Sequence, residues 1–215
     1  MPGELRDCIF WVADSTMAQV FKAFLTRQNF HLSLGCGPFQ FDPRQDLFPN
    51  AGGNDPGLYV RAHELVANYA RSHKYAVIAL DAAWDGSPEP DEIESHVSNN
   101  LAGVWAAGRY RVIVIDPELE AWVLHDNPHV ATAFRYEGNA PMRHWLRDNG
   151  HWPDGSVKPP DPKTAVEALC RFTRTRRSAA VYEKVVSKVS VKNCVDQSFR
   201  RLADALCEWF PQEAE

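Results

Sequence analysis

The stretch that decides the fold is "YRVIVIDPELEAWVLHDNP", residues 110–128. It opens with β-branched and aromatic residues, which are typical of a buried strand. The run ends in an aspartate and a proline, and the apolar residues that follow have helical spacing. A strand that passes directly into a helix is the repeating unit of parallel sheets. Asp116, Glu118 and Glu120 lie at this transition, where they either cap the helix or belong to a site.

The same unit recurs upstream. Short apolar runs at 7–13 and 75–81 predict two further strands, and the alternating stretch "FHLSLGC", residues 30–36, predicts another. Helical patterns follow the strands, while residues 37–57 are rich in Gly, Pro, Asn and Asp and predict a long loop. The alternation predicts an α/β fold, with a mainly parallel sheet covered by helices on both faces.

The last third of the chain has a different pattern. A connector with several prolines and glycines, residues 151–162, is followed by helical patterns and by no convincing strand. The predicted helices run over 163–173, 179–188 and 194–209. We therefore predict an α/β domain over residues 1–150 and a helical cap over 151–215 that packs on the same core.

Composition narrows the class of protein. The chain has 215 residues, 45% hydrophobic and 24% charged, as is usual for a soluble globular protein. It has no apolar run near the roughly 20 residues of a membrane helix, and its start lacks a basic region followed by an apolar block. Five scattered cysteines without a CxxC pair argue against a disulfide framework. We expect a cytoplasmic protein without membrane contact.

The charge is unevenly distributed. Residues 158–201 contain eleven Lys and Arg against four Asp and Glu, although the whole chain has a net charge of -5. Such a segment is either a surface for nucleic acid or an acidic partner, or a set of solvated helix faces. The candidate contact residues are Arg174, Arg176, Arg177, Lys184 and Lys188.

The predicted strands end in acidic residues. Ligands of open parallel sheets bind beyond the carboxyl ends of the strands, and carboxylates gathered there favour magnesium or manganese. The candidate metal ligands are Asp14, Asp81, Asp85 and Glu120, of which Asp81 and Glu120 are also the candidate catalytic residues. Helix capping is the alternative, and it explains Asp81 and Glu120 less well than the others. The chain lacks the glycine-rich dinucleotide, P-loop and nucleophile-elbow motifs.

Several segments resemble, in order, those of a family of small bacterial proteins of unknown function that is regarded as Toprim-like. They are "VIALDAAWDG" (77–86), "VIVIDPELEAWVLHD" (112–126), "PPDPKTAVEAL" (159–169), "YEKVVSKV" (182–189) and "CVDQSFRRLADAL" (194–206). The family often lies near restriction and phage-defence genes. The chain is also similar to the small Toprim-like component of a multigene, methylation-associated antiviral defence system.

The resemblance implies a site for phosphodiester chemistry, and the chain departs from it. Toprim domains hold magnesium with a glutamate after the first strand and an Asp-x-Asp after a later one. Here Ala13 stands at the glutamate position, Met17 replaces a further aspartate, and Ala83 replaces the second acid of Asp-x-Asp. Asp81 matches the first acid of that motif, and Glu120 matches the family's glutamate before Ala-Trp. A methyl group supplies no ligand and moves no proton.

Two functions follow from this comparison. The first is a catalytically degenerate defence component, without a cofactor, that binds other proteins of the defence system or nucleic acid. The second is a magnesium- or manganese-dependent nuclease, or another phosphoryl-transfer enzyme, in which Asp14 and Asp85 replace the lost acids.

Overall fold

The computed structural model describes residues 4–192 and 194–212. Within these residues, strands and helices alternate up to residue 115, and the rest is helical. The strands are β1 (Arg6–Val12), β2 (Leu47–Pro49), β3 (His73–Asp81) and β4 (Tyr110–Ile115). The helices of the first half are α1 (Ser15–Leu25), α2 (Phe30–Leu34), α3 (Asp55–Val66), the 3-10 helix Ala67–Arg71 and α4 (Pro90–Leu101). Those of the second half are α5 (Glu120–Val123), α6 (Pro128–Ala133), α7 (Met142–Asp148), α8 (Pro162–Thr173), α9 (Ala179–Val186) and α10 (Gln197–Trp209).

The sheet is entirely parallel, with the strand order β2-β1-β3-β4. The central strand β3 is the most buried, and residues 76–80 have no exposed surface. Parallel sheets are stable when both faces are covered, so their strands read as continuous apolar runs. The predicted α/β class and the mainly parallel sheet are confirmed.

The second strand is not where the sequence predicted it. "FHLSLGC" forms the short helix α2, which begins after Asn29 and ends at Gly35, both in left-handed conformation. Only Phe30 of that helix is buried. The strand β2 instead lies inside the predicted loop 37–57 and pairs with β1 over three residues. Alternation over so short a run does not separate a strand from one helical turn.

The segment after β4 also differs from the prediction. The helix α5 begins only at Glu120, so neither Asp116 nor Glu118 caps it. The peptide bond between Asp116 and Pro117 is cis. The carbonyl oxygen of Pro117 accepts hydrogen bonds from the backbone N–H groups of Ala82 and Ala83 at 3.1 and 2.9 Å. These bonds hold the segment against the end of β3.

The C-terminal helices α8, α9 and α10 form close to their predicted ranges and pack on the sheet domain. The rings of Tyr75 on β3 and Trp209 on α10 stack with centroids 4.6 Å apart. Just after α1, Arg27 donates hydrogen bonds of 3.1 and 3.0 Å to the carbonyl oxygens of Val186 and Val189. The predicted cap and the start of the chain include residues 1–3, 193 and 213–215, which lie outside the described residues.

No helix within the described ranges has both the length and the apolar character that crossing a membrane requires.

Candidate functional site

Five carboxylates gather at the carboxyl end of the sheet, and we call this group the acidic edge. Its members are Asp14, Asp55, Asp81, Glu118 and Glu120. Asp14 follows β1 and caps α1, Asp55 opens α3, and Asp81 is the last residue of β3. The two glutamates follow β4. The parallel topology therefore brings acids from four chain segments to the edge where ligands of such sheets bind.

Asp81 lies at the centre of the acidic edge. Its Oδ1 accepts a hydrogen bond of 2.9 Å from the backbone N–H of Leu119. Its own backbone N–H donates one of 2.7 Å to Oδ1 of Asp55. Burial, and then the charges of Asp55 and the three other acids, raise the pKa of Asp81 well above its ordinary value. The negative charges of the four other acids thus act on Asp81.

The sequence did not predict Asp55 as a member. It lies in the stretch "GGNDPG", which read as part of a flexible loop, whereas Asn54 caps a regular helix there with proline in its first turn. Burial raises the pKa of Asp55, as does the nearby charge of Asp14. The only local signal was the pattern of cap, acid and proline, which is typical of a helix start.

The two glutamates are bound by residues of α8, of α9 and of the loop between them. Oε1 of the buried Glu120 accepts hydrogen bonds of 2.9 Å from Nη1 of Arg177 and 2.7 Å from the hydroxyl of Tyr182. Oε2 of Glu118 lies 3.0 Å from Nζ of Lys163 on α8. Burial raises the pKa of Glu118, and the hydrogen bond from Lys163 opposes that rise. The segment from α8 to α9 thus supplies the cations Lys163 and Arg177, which neutralise part of the edge.

The structure brings together three of the four predicted metal ligands: Asp14, Asp81 and Glu120. The fourth, Asp85, is exposed in the loop between β3 and α4, and its side chain makes no hydrogen bond or ion pair with the described residues. Ala13, at the position where the resembled family has its glutamate, is 1% exposed and offers only a methyl group. Asp85 is thus exposed and is not among the acids that act on Asp81.

Each carboxylate of the edge already accepts a hydrogen bond from within the chain. Asp14 accepts one of 2.7 Å from the backbone N–H of Met17, and the other four are bound as described above. Over residues 4–192 and 194–212, no group of three or more His, Cys, Asp or Glu is arranged to hold a metal ion. In this arrangement the carboxylates cap helices, accept hydrogen bonds from the backbone and form ion pairs within the chain.

The predicted contact residues separate into two groups. Arg177 turns toward Glu120 and belongs to the acidic edge. The others, Arg174, Arg176, Lys184 and Lys188, are exposed and form no ion pair with any described residue. Lys184 and Lys188 are one turn apart on and just after α9, so they lie on one side of that helix.

A cavity of about 490 Å³ lies away from the acidic edge, beside the starts of α4 and α10. Asp116 faces this cavity and not the edge. Lys158 crosses part of it, since its Nζ lies 2.6 Å from the carbonyl oxygen of Asp116 and 3.0 Å from Oδ2 of Asp196. Burial lowers the pKa of His125, which also lines the cavity, so the imidazole is neutral at pH 7.

Comparisons with protein-family models, with curated proteins and with solved structures found no match to this chain. The Toprim-like resemblance of the sequence therefore stays a prediction.

Proposed function

We propose that the protein is a catalytically degenerate, Toprim-like component of a bacterial antiviral defence system and that it acts by binding nucleic acid. The observation that carries this proposal is the internal use of all five acids of the edge. Each of them accepts a hydrogen bond from the chain itself. An active two-metal site needs several carboxylate oxygens turned toward the ions, and over residues 4–192 and 194–212 no group of three or more His, Cys, Asp or Glu is arranged in that way.

The replaced positions support the same conclusion. Ala13 is closely packed at the end of β1, and its backbone N–H donates to the carbonyl oxygen of Ala79 at 3.0 Å. A glutamate at this position would need space that the core around it does not leave. The burial of Ala13 is thus consistent with a site that lacks this acid.

The exposed cations support nucleic acid as the partner. Arg174, Arg176, Lys184 and Lys188 are unpaired within the described part of the chain, in a segment with a net positive charge on an acidic protein. Phosphate groups are the usual partners of such residues, and each contact releases counterions. Neighbouring proteins of the defence system with acidic surfaces are the other class of partner, which the experiment below separates.

The test is the affinity for labelled DNA and RNA oligonucleotides, measured by fluorescence anisotropy at several salt concentrations. We expect binding that weakens steeply with salt, and a slope that falls by about one for each lost phosphate contact in Arg174→Glu/Arg176→Glu. The matched control is Arg44→Glu/Arg71→Glu, which changes the charge equally at two exposed positions in the first half. Equal loss in both variants, or no binding by the wild type, contradicts the proposal.

A second function, a magnesium- or manganese-dependent nuclease, is favoured by one observation. Among the described residues, two of the five carboxylates of the edge form ion pairs, with the cations Lys163 and Arg177, and burial and the neighbouring acids raise the pKa of Asp81. A divalent cation would stabilise such an excess of negative charge, provided that the side chains rearranged to bind it.

Calorimetric titration with manganese and magnesium distinguishes the two functions. The degenerate site predicts no specific binding in the wild type. Specific binding that disappears in Asp81→Ala and persists in Asp85→Asn would instead establish a metal site at the acidic edge, and nuclease assays would follow.

A further inference from the structure

Three aromatic rings meet at the surface where α7, α8 and the residues after α6 come together. The ring centroids of Trp145 and Phe172 are 4.6 Å apart, those of Tyr136 and Phe172 5.6 Å, and those of Tyr136 and Trp145 6.2 Å. Phe172 is 48% exposed, while the other two are partly buried against the core. We call these three residues the aromatic platform. A large exposed ring supported by two others offers a flat apolar face to a ligand.

Arginines adjoin the aromatic platform. Arg171 precedes Phe172 in α8, and Arg135 precedes Tyr136. The hydroxyl of Thr175 donates a hydrogen bond of 3.1 Å to the carbonyl oxygen of Phe134, which ties these two chain segments together. The next residue back from Thr175, Arg174, is therefore close to the same junction.

The three arginines Arg135, Arg171 and Arg174 are exposed, and their side chains form no hydrogen bond or ion pair with the described residues. Two acids are nearby in the chain. Glu137 is exposed after Tyr136, and Glu167 on α8 lies beside Arg177. Among the charged residues close to the platform in the chain, these three arginines therefore outnumber the two acids.

Two of these arginines adopt a backbone conformation that favours glycine. Arg135 and Arg174 both have φ of 54°. Glycine would adopt that conformation at lower cost, and a residue kept there despite the cost suggests a use for its side chain. Both positions flank the bond between Thr175 and Phe134.

We propose that the aromatic platform binds an unpaired nucleobase by stacking on Phe172, with Arg135, Arg171 and Arg174 contacting the adjacent phosphates. This inference rests on the proposed nucleic-acid binding and names its substrate class as single-stranded nucleic acid. Aromatic rings next to cations are the usual means of holding single strands, because every base has a face for stacking. In a duplex those faces are covered by neighbouring base pairs.

The test compares labelled single-stranded DNA, single-stranded RNA and a duplex of equal length by anisotropy. We expect both single strands, or one of them, to bind the wild type more tightly than the duplex. We expect Phe172→Leu to weaken single-strand binding about 10-fold, since it removes the ring and keeps an apolar side chain. Phe172→Tyr keeps the ring and should restore the affinity. The control is Val195→Ala, at another exposed apolar residue.

The possible outcomes distinguish a failure of the aromatic platform from a failure of the proposed nucleic-acid binding. If Phe172→Leu binds single strands as the wild type does while Arg174→Glu/Arg176→Glu loses affinity, the platform is overturned and nucleic-acid binding stands. If the wild type binds none of the three ligands, both are overturned. Thermal melting of each variant, followed by circular dichroism, confirms that it is folded. A difference between the DNA and RNA arms identifies which single strand is preferred.

Discussion

The hydroxyl of Tyr182 on α9 lies 2.7 Å from Oε1 of Glu120, so one hydrogen bond joins the C-terminal helices to the acidic edge. Both residues are buried, at 1% and 6% exposure. Burial, together with the charge of Glu120, raises the pKa of Tyr182, so the hydroxyl keeps its proton and acts as the donor. The bond accordingly holds the two parts of the chain together at neutral pH.

Tyr182→Phe removes this donor and leaves Glu120 with Arg177 alone. We expect the free energy of unfolding to fall by about 2 kcal/mol, because a bond to a buried charged group is lost. Urea denaturation measures the change. The control is Tyr110→Phe, where the hydroxyl donates to the neutral carbonyl oxygen of Ser98. An equal loss in both variants would contradict a special role for the bond to Glu120.

Asp81→Asn should make the protein more stable at neutral pH. Burial and the neighbouring acids raise the pKa of Asp81 in the folded state, so the folded state holds this proton more tightly than the unfolded one. Stability is therefore highest below the unfolded pKa of about 3.9 and falls as pH rises toward the folded pKa. The amide keeps an oxygen for the N–H of Leu119 and removes the charge. Unfolding free energies from pH 4 to 8 should show a flatter profile in the variant.

Burial is also the main cause of the raised pKa values of Asp55 and Glu118. These two acids therefore add to the fall in the free energy of unfolding as pH rises. A profile as steep in Asp81→Asn as in the wild type would show that these two acids, and not Asp81, dominate it.

The stabilisation by Asp46 should depend on pH in the opposite sense to that by Asp81, and Asp46→Asn tests this. Asp46 is fully buried at the amino end of the sheet, where it binds Arg6 through both oxygens and lies 3.2 Å from Nε2 of His73. Burial acts to raise its pKa, but the hydrogen bonds from Arg6 and His73 outweigh it and lower the pKa to about 2. Its stabilisation is present above about pH 4 and lost as pH falls through 2.

We expect Asp46→Asn to lower the free energy of unfolding at pH 7 by about 2 kcal/mol or more, since Arg6 also loses its partner. Near pH 2 the variant and the wild type should approach each other. Denaturation curves at the two pH values give the comparison, and a constant difference would refute the assigned pKa.

Asp196→Ala and Asp161→Ala form a matched pair of cap deletions. Both residues cap a helix, Asp161 through the N–H of Thr164 and Asp196 through that of Phe199. Asp161 is exposed, so we expect a loss of about 1 kcal/mol. Asp196 is buried and also accepts from Trp122 and Ser198. Its loss should be nearer to about 3 kcal/mol, because Ser198 and Lys158 lose a buried, charged acceptor. Thermal or urea unfolding of both variants tests the difference.

The apolar runs of the sequence predicted three of the four strands, and the fourth had no such signal. Each of β1, β3 and β4 contains a run of buried apolar residues, and such a run predicts a strand of a covered sheet. In contrast, β2 is three residues long and ends in a proline, and it pairs with a single neighbour. Its place depends on the partner strand, which local pattern does not encode.

The sequence predicted Asp14, Asp81 and Glu120 as site residues, but it predicted neither Asp55 nor the contacts that bind the glutamates. Asp81 and Glu120 stood at strand ends, where topology alone predicts that side chains converge. The residues that bind the glutamates, Lys163, Arg177 and Tyr182, lie 45 to 62 residues further along the chain. The periodicity of the sequence does not predict contacts between residues so far apart in the chain. The family resemblance pointed to the stretch that contains Tyr182, without indicating the contact.

The long separation between the acids and their partners has a consequence for synthesis. A ribosome releases the acidic edge before Lys163, Arg177 and Tyr182 exist, so the growing chain carries repelling carboxylates without their counter-groups. The sheet domain should then close fully only after α9 has left the exit tunnel. Messenger RNA truncated before codon 182 should yield a stalled chain that proteases digest readily.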